Sequence, residues 1–94
     1  MGNYTTIEKK VKEFDVLISD DPGVWYDAGF PDDNLEHKNA LRVYCKSGNY
    51  WATFIISKMM LAVPDKMDDF IHRMLTRQFK KLLPYAASNT GQTP

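Results

Sequence analysis

The chain has 94 residues and a mass of 10.9 kDa, a length that fits one domain and excludes a two-domain arrangement. Hydrophobic residues make up 44%, aromatic residues 13% and charged residues 26%, an ordinary globular composition that excludes wholesale disorder. Lys plus Arg and Asp plus Glu both total 12, so no overall basic excess points to nucleic acid or to a membrane surface.

The opening residues Met1 to Thr6 contain no apolar h-region, and the least polar run, Thr53 to Val63, is broken by Ser57 and Lys58. Neither a signal peptide nor a membrane span is expected. The lone Cys45 rules out an intramolecular disulfide and suits a reducing compartment, so the expected location is cytoplasmic.

Thr5-Thr6-Ile7-Glu8 reads as a capping box, with Thr5 as N-cap and Glu8 reaching back to the cap N–H. The spacing of Ile7, Val11 and Phe14 predicts a short helix from there. From Phe14 the pattern changes to period two, Phe14, Val16 and Ile18 alternating with Asp15 and Ser19, which predicts a strand ended by the turn signal Asp20-Asp21-Pro22-Gly23. Val24, Trp25 and Tyr26, bounded by Gly23 and Gly29, predict a short edge strand. Leu41, Val43 and Cys45 alternate with Arg42, Tyr44 and Lys46, then Ser47-Gly48-Asn49 turns the chain into Tyr50 to Ile56. This is a hairpin, and because its second strand is apolar on both faces a central, doubly covered strand is expected. Asp65 is the expected N-cap of a C-terminal helix whose apolar arc runs through Met67, Phe70, Ile71, Met74, Leu75, Phe79 and Leu82, with a stop at Pro84. The fold class that follows is α+β: an antiparallel sheet of three to four strands with an N-terminal and a C-terminal helix packed on it. Residues 1–84 form the domain and 85–94 a flexible tail.

The neutral total conceals a division. Residues 15–36 carry seven acids (Asp15, Asp20, Asp21, Asp27, Asp32, Asp33, Glu36) and no base, whereas residues 37–94 carry nine bases against three acids. On the C-terminal helix Lys66, Arg73, Arg77, Lys80 and Lys81 fall within a stripe of about 100°. Arg73, Arg77, Lys80 and Lys81 are therefore candidate contacts to a nucleic-acid backbone, with the sheet aromatics Tyr44, Tyr50 and Trp51 available to stack on bases. In the acidic segment Trp25, Tyr26 and Phe30 stand among Asp27, Asp32 and Asp33, which is the make-up of a protein-binding surface: aromatic anchors with a charged rim. The same carboxylates lack the alternating spacing that wraps calcium, so no metal and no cofactor is expected.

For catalysis, Asp27 followed by Glu36-x-Lys38, with Glu8 upstream on the predicted helix, resembles the core of restriction-endonuclease-like nucleases. The resemblance covers residues 8–38 and implies carboxylates holding Mg2+ and a lysine assisting the attacking water. Cys45 shares its strand face with Leu41 and Val43 and reads as a buried small hydrophobe; His37 and His72 have no companion at metal-ligand spacing. The reading that absorbs most of the sequence is a non-enzymatic, small binding protein with a protein partner or a second copy of itself. Its make-up is analogous to that of accessory or inhibitor proteins of phages and mobile elements. Nucleic-acid binding is the alternative, and no membrane partner is expected.

Overall fold

The computed structural model describes residues 4–30 and 39–91, with side chains through residue 81. Four strands form one antiparallel sheet in the order β1 (Thr6–Val11), β2 (Phe14–Ser19), β3 (Ala40–Ser47) and β4 (Tyr50–Ser57). A six-residue helix, α1 (Pro22–Asp27), follows β2, and a 28-residue helix, α2 (Pro64–Gly91), closes the chain.

The predicted N-terminal helix is instead β1. Spacing by four puts Ile7 and Val11 on one side of a strand as well as of a helix, so their separation does not discriminate between the two. In the strand Lys9 joins them on the inner side, its ammonium reaching Asp68 of α2 at 2.8 Å. Thr5 caps nothing: its N–H donates to Asp20 Oδ1 at 2.7 Å, and Thr6 pairs with Ser19. A two-residue turn, Lys12-Glu13, joins β1 to β2, with Lys12 in the left-handed region at φ 56°. A lysine gives no sequence signal for such a turn, because glycine and asparagine are the residues that enter this region without strain.

The predicted edge strand over Val24 to Tyr26 is α1. Asp21 is its N-cap, accepting from the Gly23 N–H at 2.9 Å, and Pro22 sits in its first turn, where a missing N–H costs nothing. The hairpin of β3 and β4 forms as expected about Gly48-Asn49, Gly48 at φ 62°. Its second strand is not central, however: β4 is an edge of the sheet, and Trp51 and Ile55 on its outer face are 52% and 47% exposed.

Ser57 caps a 3-10 turn (Lys58–Ala62) that leads into α2. Asp65 lies in the first turn of α2, after Pro64, and not at its N-cap. The helix passes the expected stop and continues to Gly91. Pro84 has no N–H to offer the carbonyl of Lys80, the local cost a helix accepts when it carries a proline.

Met67, Ile71 and Leu75 of α2 pack against Val11, Val16, Ile18, Leu41, Val43, Cys45, Ala52 and Ile56 on one face of the sheet, and this is the core. Hydrophobic burial at about 25 cal/mol per Å2 makes it the dominant stabilising term. Of the helix's predicted apolar arc, Met67, Phe70, Ile71, Leu75 and Phe79 meet the core as expected; Met74 is half-buried outside that cluster, and Leu82 lies outside the described side chains.

Candidate functional site

The other face of the sheet is covered only in part. Strand alternation turns Arg42, Tyr44, Trp51 and Thr53 away from α2, and α1 folds back so that Trp25 and Phe30 lie over them. Phe30 contacts Tyr44 and Trp51 edge-on, with ring centroids 5.7 Å apart in each case. The Arg42 guanidinium lies 4.7 Å from the Phe30 centroid and 5.7 Å from that of Trp25, and Nη1 donates to Thr53 Oγ1 at 2.9 Å. Burial lowers the Arg42 pKa, yet a guanidinium remains charged at any physiological pH. The cation is thereby fixed between aromatic rings, a role its alternating position in β3 did not announce.

The expected acidic aromatic surface is divided by this packing. Trp25 is fully buried, and Phe30 is half-buried in the cluster. Tyr26, 66% exposed, and Asp27 remain on the surface. Asp32 and Asp33 lie outside the described residues, as do Glu36, His37 and Lys38.

On the opposite side of the molecule Arg73, Arg77, Lys80 and Lys81 are all exposed along α2. Arg73, Arg77 and Lys80 line an open groove whose facing wall is Lys12, presented by the left-handed turn between β1 and β2. His72, Thr76 and Asp69 complete the groove, Asp69 being its one acid. His72 Nε2 lies 3.0 Å from Glu13 Oε1, tying that turn to the helix, and Glu13 is held below the usual carboxylate range by a backbone hydrogen bond and by His72. Lys12 is the site residue the sequence did not reveal, because it reaches α2 only through the β1–β2 turn. The sheet aromatics do not join this groove: Tyr44 and Trp51 lie on the face of the sheet turned away from α2, and Tyr50 alternates to the other side.

Of the nuclease-like arrangement, Glu8 and Asp27 fall within the described residues, and Glu36 and Lys38 do not. Glu8 lies on a strand instead of a preceding helix, and Asp27 ends a short helix instead of a strand. Among the described residues no three His, Cys, Asp or Glu side chains converge to hold a metal. Cys45 is buried in the core as expected, and burial, with Asp15 adding to it, pushes its thiol pKa up, away from nucleophilic thiolate character. Among the described residues no helix is long and apolar enough to cross a membrane. Comparison with protein-family models, curated proteins and solved structures finds no match.

Proposed function

We propose that this protein is a small non-catalytic binding protein whose groove between the β1–β2 turn and α2 takes the phosphate backbone of a nucleic acid. The observation that carries the reading is the convergence of Lys12 with Arg73, Arg77 and Lys80 around one open groove. Arg73 and Arg77 are one helical turn apart and Lys80 nearly another, so α2 offers about one cation per turn along a line, with Lys12 across from them. Four bases against Asp69 leave a positive surface on a chain of zero net charge. With Tyr44 and Trp51 on the far face of the sheet and Tyr50 outside the groove's lining, the contacts available are to phosphates, so binding is expected to be indifferent to sequence.

Fluorescence anisotropy with a labelled DNA duplex tests this directly. Binding should weaken with salt with a log–log slope of about −3 to −4, the value for four neutralised phosphates, and Arg73→Ala with Arg77→Ala should abolish most of it. No binding at low salt retires the reading.

A protein partner at the acidic aromatic segment is the second reading, favoured by the exposure of Tyr26 beside Asp27. A pull-down with and without nuclease treatment separates the two, and loss of a nuclease-resistant partner with Tyr26→Ala would support it.

A further inference from the structure

The two edges of the sheet differ in chemistry. β1 alternates Glu8 and Lys10 on its outer side and places Lys9 on its inner side, the charged make-up that discourages pairing with another chain. β4 carries no charge in eight residues, Tyr50-Trp51-Ala52-Thr53-Phe54-Ile55-Ile56-Ser57, and among the described residues pairs with β3 alone. A long uncharged edge of this kind is a template for strand addition.

We propose that β4 pairs antiparallel with β4 of a second copy of this chain about a two-fold axis at Thr53. The hydrogen-bond phase of the hairpin selects the register, and the side chains that β4 exposes select the occupant. The two-residue turn Gly48-Asn49 makes Ser47 and Tyr50 the closing hydrogen-bonded pair. The alternation that follows directs the N–H and C=O groups of Tyr50, Ala52, Phe54 and Ile56 toward β3, and those of Trp51, Thr53 and Ile55 outward. An axis at Thr53 sets Thr53 opposite its own copy, and Trp51 opposite Ile55 of the second chain, twice. The two large apolar side chains that β4 leaves half-exposed, Trp51 and Ile55, then cover each other on the outer face of an eight-stranded sheet. The pairing also meets no like charge: Lys58, which follows β4, comes to lie beside Gly48 of the turn in the second chain. Pairing β4 with β1 of a second copy would instead set this apolar row against Glu8 and Lys10.

Sedimentation velocity over a concentration series, joined to disulfide trapping, tests the proposal. The unaltered chain should show a monomer–dimer equilibrium that does not weaken with salt, and Ile55→Lys should shift it at least tenfold toward monomer. Under mild oxidation Thr53→Cys should cross-link into a covalent dimer, because the two positions meet on the axis. Ile55→Cys should not, because its two copies stand four residues apart on either side. A chain that stays monomeric at the highest soluble concentration overturns the proposal, leaving a strand of some other protein as the occupant of this edge. Cross-linking of Ile55→Cys as fast as Thr53→Cys overturns the register.

Discussion

The indole N–H of Trp25 donates to the backbone carbonyl of Ser19 at 2.9 Å, and this bond satisfies the polar atom of the largest fully buried side chain in the molecule. Ser19 is itself fully buried: its hydroxyl meets Thr6 Oγ1 at 2.8 Å and accepts from the Asp21 N–H at 3.0 Å. The end of β2 and the start of α1 are thus joined by a chain of hydrogen bonds under an aromatic lid. Trp25→Ala should cost about 3–5 kcal/mol, through the cavity and the lost burial. Trp25→Phe keeps most of the apolar area and loses the indole hydrogen bond to the Ser19 carbonyl, so about 1–2 kcal/mol is expected. Urea denaturation of both variants checks the order.

Asp20 gives the molecule an acid-sensitive joint. Burial works to raise its carboxyl pKa, but the Lys58 ammonium at 2.7 Å and the Thr5 N–H outweigh that and hold it below its ordinary value. A carboxyl whose pKa is depressed in the folded state stabilises the fold above its unfolded pKa of about 3.9, and that contribution is lost as pH falls through the folded value. Stability measured by urea midpoints should therefore drop below about pH 4. Asp20→Asn should lower stability at pH 7 by about 2 kcal/mol and flatten the acid limb, since the titrating group is gone.

Lys12 sets stability against binding. Its φ of 56° costs a non-glycine residue about 1–2 kcal/mol, part of which glycine returns as extra freedom in the unfolded chain. Lys12→Gly should raise stability by about 0.5 kcal/mol while weakening oligonucleotide binding and reducing the salt slope by about 1. Paired thermal melts and anisotropy titrations would show the two effects with opposite sign; unchanged binding would remove Lys12 from the groove's function.

The β3–β4 hairpin, the apolar arc of α2 and the core position of Cys45 were legible from the residues alone, because each rests on a periodicity that only one local structure satisfies. The basic stripe of Arg73, Arg77, Lys80 and Lys81 was legible for the same reason, since a helix of known phase places its charges. Asp21-Pro22 also carried a helix-start signal, hidden by its equal fitness for a turn. Other features have no local signature. Ile7 and Val11 suit a strand and a helix alike, and β1 is a strand because β2 offers it a ladder of hydrogen bonds. Val24-Trp25-Tyr26 has strand-forming side chains in a helix because burying the Trp25 ring over the sheet outweighs a propensity difference of well under 1 kcal/mol per residue. The place of β4 at the edge, the position of Lys12 across from α2, and the enclosure of Arg42 between Phe30 and Trp25 all depend on residues far apart in the chain. The division of charge into a minus-seven segment and a basic remainder follows from the residues alone. Which of those charges face one another across a groove was decided by packing, because only the completed sheet brings the β1–β2 turn to the side of α2.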